Sequence, residues 1–132
     1  MGMPKKVLIV EDSGTMRSLI SSTLEEIRGV SVTEAENGFE ALRILPKERF
    51  DMIITDINMP DINGLEIINF VKTNPNYEKI PVVIVTTEHG DEDRKKGLAL
   101  GAAEYITKPF RPEDLRKVVQ RIFKDWTKGA EG

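Results

Sequence analysis

Five residues carry side chains that could do chemistry together: Glu11, Asp12, Asp56, Thr86 and Lys108. Each stands at or just past the end of a strand-like run. Glu11 and Asp12 follow Val7-Leu8-Ile9-Val10, Asp56 follows Met52-Ile53-Ile54-Thr55, Thr86 closes Val82-Val83-Ile84-Val85, and Lys108 comes just after the run ending at Thr107. Three carboxylates brought within a few ångströms of one another raise each other's pKa unless a cation sits among them. The chain has no cysteine, and its one histidine, His89, lies in the polar stretch Thr87-Glu88-His89-Gly90-Asp91, where it reads as a solvated loop residue. The ligand set is therefore all oxygen, which selects a hard divalent ion. Too few carboxylates for a Ca²⁺ cage leaves Mg²⁺ with several waters, an ion that completes its shell with phosphate oxygen. Lys108 would supply the opposing positive charge, and the Thr86 hydroxyl a hydrogen bond to a further phosphoryl oxygen. An aspartate is already ionised at neutral pH, so Asp56 needs no general base to attack an activated phosphorus and form an acyl phosphate.

That chemistry requires residues more than forty positions apart to meet, and the rest of the chain predicts how. Five strand-like runs, Val7–Val10, Ser31–Ala35, Met52–Thr55, Val82–Thr86 and Ala103–Thr107, are separated by segments long enough for helices. None of the gaps is a hairpin turn, so the rhythm is that of a parallel sheet with crossover helices. The first, third and fourth runs are almost wholly apolar, as strands covered on both faces are; the second and fifth alternate with polar residues and belong at the edges. With right-handed crossovers the simplest order is 2-1-3-4-5, a doubly wound α/β fold of flavodoxin-like type with five helices. Sites in such sheets form beyond the carboxyl ends of the strands where the winding reverses, here between strands one and three.

The helices are legible from their apolar spacing. The first carries Met16, Leu19, Ile20, Leu24 and Ile27 on one face. The second opens at Asn37 as N-cap with Glu40 three residues on, and the third follows Gly64 with Leu65, Ile68 and Val71. The fourth spans roughly Asp91 to Leu100 and is weakened by Gly97 in its interior, which makes it the most mobile of the five. The last places Leu115, Val118, Val119, Ile122 and Trp126 on one face and Arg116, Lys117, Gln120, Arg121 and Lys124 on the other.

The quoted residues together resemble a response-regulator receiver domain, closest to the stand-alone chemotaxis (CheY-like) receivers. The resemblance runs from about Lys5 to Phe123. It rests on Glu11-Asp12, on Thr55-Asp56-Ile57-Asn58-Met59-Pro60, on Gly64, on Thr86 after its apolar run, and on Lys108-Pro109-Phe110. That family is itself a standard example of the 2-1-3-4-5 order. The resemblance implies a two-component response regulator in which Mg²⁺ is held by Glu11, Asp12, Asp56 and the Asn58 carbonyl, with phosphoryl arriving from a histidine kinase. It implies a cis bond before Pro109, and a switch in which Tyr105 turns inward as Thr86 moves to the phosphoryl group. Asn58 and Glu88 would flank the path of hydrolytic water and tune dephosphorylation, as in fast-resetting chemotaxis receivers. The output surface would be the fourth helix, fifth strand and fifth helix, meeting a downstream protein such as a flagellar motor switch. Two departures are small: Glu11 stands where aspartate is more frequent, and Ser13-Gly14-Thr15 makes the following turn unusually small and polar. Met59 and Phe110 read as packing residues.

Composition bounds the alternatives. At 132 residues, 39% hydrophobic and 31% charged, the chain suits one globular receiver domain over residues 1–132. A net charge of -3 is too mild to argue for nucleic-acid or membrane partners, and the basic excess of residues 108–128 reads as a solvated helix face. No apolar run is long enough for a membrane span or a secretory signal, and cysteine is absent, which suits a cytoplasmic protein. A receiver cut from a transcriptional regulator or hybrid kinase would look the same. A flavodoxin-like flavin protein using Ser13-Gly14-Thr15 as a phosphate loop would bring that phosphate against Glu11, Asp12 and Asp56. An aspartyl-phosphate phosphatase would need a second acid two residues after its nucleophile, whereas Asp12 is followed by Ser13 and Gly14.

Overall fold

The computed structural model describes residues 4–131, and side-chain surroundings as far as Lys124. Five strands, β1 (Lys5–Val10), β2 (Val30–Ala35), β3 (Met52–Thr55), β4 (Val82–Thr86) and β5 (Glu104–Thr107), alternate with five helices. These are α1 (Gly14–Glu25), α2 (Gly38–Ile44), α3 (Gly64–Thr73), α4 (Asp91–Ala99) and α5 (Pro112–Glu131). The sheet is parallel throughout, in the order β2-β1-β3-β4-β5, as the alternation of runs and gaps predicts.

Alternate residues of the central strands feed two cores. Leu8, Val10, Ile53 and Ile84 face one layer with Leu45, Ile67, Ile68, Val71 and Tyr105. Val7, Ile9, Met52, Ile54, Val83 and Val85 face the other with Ile20, Leu24, Leu115, Val119 and Phe123. Every residue of β3 and β4 is buried, which explains their unbroken apolar spelling. Burying a Val or Ile side chain contributes about 1.5–3 kcal/mol, so the central strands anchor the site that hangs from their ends.

Register then sets that site. Val10 lies level with Thr55, and Thr55 with Ile84, so Glu11 and Asp56 emerge side by side. The Asp56 N–H donates to the Val10 carbonyl at 3.1 Å, which continues the pairing one residue past the strands.

Helix starts follow their caps. Ser13 Oγ accepts from the Met16 N–H, Asn37 Oδ1 from the Glu40 N–H, and Asn63 and Glu66 form a reciprocal box that opens α3. Two expectations need correction for α1. It ends at Glu25, so Ile27 lies beyond the helix, although it is still buried in the turn that follows; and Leu19 is 38% exposed, at the margin of the buried face. The face expected of α5 is present in Leu115, Val119 and Phe123, with Val118 and Ile122 partly buried; the side chain of Trp126 lies outside the described residues.

Gly97 has a reason beyond local propensity. A Cβ there would stand 2.6 Å from Ile84 Cδ1 and 3.4 Å from Tyr105 Cδ2, so the glycine lets α4 settle directly on the sheet. Gly97 is also the only buried residue of α4. This helix is held by close backbone approach, with little apolar burial of its own.

Candidate functional site

The crevice at the carboxyl ends of β1, β3 and β5 is closed by one lysine. Lys108 Nζ donates to Glu11 Oε1 at 2.7 Å and to Asp56 Oδ2 at 3.0 Å. Glu11 is 1% exposed, Asp56 6% and Lys108 8%; charged side chains are this deeply buried only when paired. The second oxygen of each acid is held as well. The Ser13 N–H donates to Glu11 Oε2 at 3.1 Å, and the Asn58 N–H to Asp56 Oδ1 at 3.2 Å. Asp12 completes the group from the exposed rim, with carboxylate oxygens of Glu11, Asp12 and Asp56 all within 4.8 Å of one another.

The electrostatics follow from this packing. Burial pushes the Glu11 carboxyl above its ordinary value, against the opposing pull of the Lys108 ammonium and the Ser13 N–H. Burial alone would lower the Lys108 ammonium, but its bonds to Glu11 and Asp56 outweigh that and hold it above the usual lysine value. Three carboxylates against one ammonium leave two negative charges in the crevice. A divalent cation matches that excess, and the all-oxygen donor set suits Mg²⁺.

Backbone packing fixes Asp56 from behind. A Cβ on Gly64 would lie 2.0 Å from the Asp56 carbonyl oxygen, so the start of α3 presses on the acid's own backbone and only glycine fits.

Thr86 and Tyr105 meet at Glu88. Thr86 is fully buried at the end of β4, and its Oγ1 accepts from the Glu88 N–H at 3.3 Å. The Tyr105 ring is turned inward, 4% exposed, and its hydroxyl donates to the Glu88 carbonyl at 2.8 Å. The Glu88 side chain reaches across the mouth of the crevice, where Oε1 accepts from Asn58 Nδ2 at 2.7 Å. Burial, and then the charges of Asp93 and Glu88, raise the Tyr105 phenol above its ordinary value, partly offset by Arg94. The Arg94 guanidinium carbon lies 5.9 Å from the ring centroid.

The structure thus gathers Glu11, Asp12, Asp56, Asn58, Thr86, Glu88 and Lys108 around one crevice, with Tyr105 beside it. The Lys108–Pro109 bond is cis. His89 is exposed, Met59 is in the core and Phe110 is partly buried, in line with their plain readings. Two features escaped the sequence reading. One is the Glu88 main chain as the junction between Thr86 and Tyr105, which no residue type encodes. The other is Arg17, whose Nη1 donates to the Glu11 carbonyl at 2.8 Å. A signal for Arg17 existed, since it is the one basic residue in α1.

The fold is a doubly wound parallel sheet, and a buried lysine bridges two acids at its switch point. The response regulator receiver domain family matches residues 7–120, and the chain belongs to that family. It is 42% identical to a chemotaxis protein CheY homolog of Campylobacter jejuni over 118 residues, which cover 89% of this chain and 91% of that one. It is 38% identical to chemotaxis protein CheY1 of Helicobacter pylori, over 89% of this chain and 95% of that one. The solved structure of Vibrio cholerae chemotaxis protein CheY4 superposes with a TM-score of 0.82 at 42% identity, covering 89% of this chain and 98% of the other. The protein is a two-component response regulator. Receivers of this family are phosphoacceptor switches that bind Mg²⁺ at an acidic pocket and interact with kinases and downstream targets. Among the described residues no helix is long and apolar enough to cross a membrane.

Proposed function

We propose that Asp56 is the phosphoacceptor of a chemotaxis-type receiver, with residues 1–132 forming one receiver domain, working in the cytoplasm without direct nucleic-acid contact. The observation that carries this reading is the buried Lys108 ammonium bridging Glu11 and Asp56 in an acid cluster that retains two excess negative charges.

Glu11, Asp12 and Asp56 carboxylates, with the Asn58 carbonyl, would hold Mg²⁺. When bound, the ion neutralises charge on the phosphoryl oxygens. The ionised Asp56 carboxylate attacks phosphorus, the P–N bond of a histidine kinase's phosphohistidine breaks, and the leaving imidazole keeps the electron pair and takes a proton. Lys108 stays within reach of the oxygens that gain charge, and the Thr86 hydroxyl donates to another. Glu88 and Asn58 at the mouth control the approach of water to the acyl phosphate.

The added charge of about -1.5 to -2 draws Thr86 and Lys108 toward Asp56. The Tyr105 ring, expected to turn inward at this step, is already inward in this structure, so the step holds it there behind Thr86 instead of bringing it in. The surface of α4, β5 and α5 then meets its downstream protein, for which a flagellar motor switch component is the candidate. Intact-mass analysis with a small acyl phosphate tests the acceptor: one added phosphoryl group in the wild type with Mg²⁺, none after EDTA, and none in Asp56→Asn. Undiminished labelling of Asp56→Asn, or labelling indifferent to Mg²⁺, contradicts it.

A further inference from the structure

The acid pair Glu11-Asp12 sits on a turn whose main chain is gripped from both sides. The Glu11 N–H donates to the Ala35 carbonyl at the end of β2, at 3.1 Å. Its carbonyl accepts from Arg17 Nη1 at 2.8 Å. Arg17 is itself braced, because its Nε donates to Glu34 Oε1 at 3.1 Å while the buried Ser21 hydroxyl donates to Glu34 Oε2 at 2.8 Å. One guanidinium therefore ties α1 to the edge strand and to the acid turn. Its side chain is 17% exposed.

The two acids depend on this grip unequally. The Glu11 carboxylate is already fixed by Lys108 and by the Ser13 N–H. Asp12 is exposed, and among the described residues no hydrogen bond or ion pair holds its carboxylate. The Glu11 carbonyl and the Asp12 nitrogen share one planar peptide unit, so fixing that oxygen fixes the plane from which Asp12 departs. From this geometry we propose that Arg17, braced by Glu34 and Ser21, is a positioning residue that sets Mg²⁺ affinity by aiming Asp12 into the crevice. The inference rests on the reading of Glu11, Asp12 and Asp56 as Mg²⁺ ligands.

The guanidinium suits this task because it is planar, always charged, and donates from Nε and Nη1 along different directions at once. A lysine ammonium at the same position reaches one acceptor well and the other poorly. Partners behind metal ligands are typically worth 10- to 100-fold in metal affinity. The lower end applies here, because Arg17 acts on one of the three carboxylate ligands.

Isothermal titration of the purified, unphosphorylated protein with Mg²⁺, alongside urea unfolding of each variant, tests this. Arg17→Ala is expected to bind Mg²⁺ about tenfold more weakly, Arg17→Lys to fall between it and wild type, and Glu34→Ala to weaken binding by less than Arg17→Ala. Arg116→Ala removes a different arginine–glutamate pair at the far end of α1, Arg116 with Glu26, and is expected to leave Mg²⁺ affinity unchanged whatever it does to stability. Wild-type affinity in a folded Arg17→Ala overturns the proposal, as does an equal loss in Arg116→Ala, which would mark a general effect of loosening α1. If Arg17→Ala does not fold, Arg17→Lys and Glu34→Ala carry the test, and wild-type affinity in both overturns it. A wild type that binds no Mg²⁺ contradicts the reading of the ligands themselves, and this inference with it.

Discussion

The Tyr105 hydroxyl donates to the Glu88 carbonyl at 2.8 Å, while the Glu88 N–H is spent on Thr86 Oγ1 at 3.3 Å. One peptide segment thus reports to both members of the expected switch, and a movement of Thr86 is felt by the tyrosine through two hydrogen bonds. α4 begins three residues later at Asp91, with Gly97 as its only buried residue. It is the element least anchored against such a movement.

Tyr105→Phe removes the bond to Glu88 and keeps the ring. Its expected cost is about 0.5–1.5 kcal/mol in urea unfolding at neutral pH. The pH dependence has a definite sign. The folded phenol is raised above its unfolded value, first by burial and then by Asp93 and Glu88. Its contribution is fully present below the ordinary tyrosine pKa of about 10 and is lost as pH rises through the folded value. Stability of wild type relative to Tyr105→Phe should therefore be flat through neutrality and shrink on the alkaline side. A difference that grows with alkaline pH contradicts the inward, hydrogen-bonded tyrosine.

Asn58 Nδ2 and Glu88 Oε1, 2.7 Å apart, close the mouth of the crevice. Exchanging both for arginine puts bulk and positive charge where water must approach, and the acyl phosphate should decay several-fold more slowly, read by loss of the phosphorylated mass after donor removal. An unchanged decay rate in Asn58→Arg/Glu88→Arg removes these side chains from control of hydrolysis.

Gly64→Ala forces a methyl group to within 2.0 Å of the Asp56 carbonyl oxygen unless the backbone moves. Overpacking of this kind costs about 1–3 kcal/mol, and here it also displaces the acceptor, so the folded fraction should phosphorylate more slowly. Gly29, at φ 81° with open space around it, supplies the contrast. Gly29→Ala should lose about 1 kcal/mol to backbone strain and phosphorylate at the wild-type rate.

Asp12→Asn removes one of three clustered negative charges without breaking a hydrogen bond. In EDTA the variant should melt at or above the wild-type temperature, because repulsion among the acids falls. Mg²⁺ at a hundred times its dissociation constant stabilises the wild type by about 2.7 kcal/mol, and most of that increment should vanish in Asp12→Asn. A full Mg²⁺ response in the variant takes Asp12 out of the ligand set.

Much of this arrangement is legible in the chain itself, for identifiable reasons. The unbroken apolar spelling of Val7–Val10 and Val82–Val85 forces burial on both faces and hence the middle of a parallel sheet. Edge character in β2 and β5 then leaves little freedom of order. Because the strands are parallel and in register, residues one step past their ends must converge, so Glu11, Asp56 and Lys108 can be placed without coordinates. Contacts that depend on which way a backbone group or a long side chain turns cannot be placed so. The Glu88 main chain joins Thr86 to Tyr105 through peptide groups that every residue possesses. Arg17 reaches the Glu11 carbonyl while Glu34, across from it on β2, braces its Nε. Gly97 shows the converse: its low helix propensity suggested weakness, whereas Ile84 and Tyr105 pressing on α4 are what require a residue without Cβ.

In the proposed mechanism, charge arriving at Asp56 is transmitted through Thr86 to α4, β5 and α5. Its most direct test is the set of backbone amide shifts of the Mg²⁺-loaded protein with and without a small acyl phosphate, in wild type, Asp56→Asn and Thr86→Ala. Wild-type shifts beyond the crevice are expected to cluster within residues 86–123, Asp56→Asn to show none, and Thr86→Ala to be phosphorylated yet change little past the crevice. Shifts concentrated in α1 and α2 that spare residues 86–123, or a Thr86→Ala pattern equal to wild type, would contradict it.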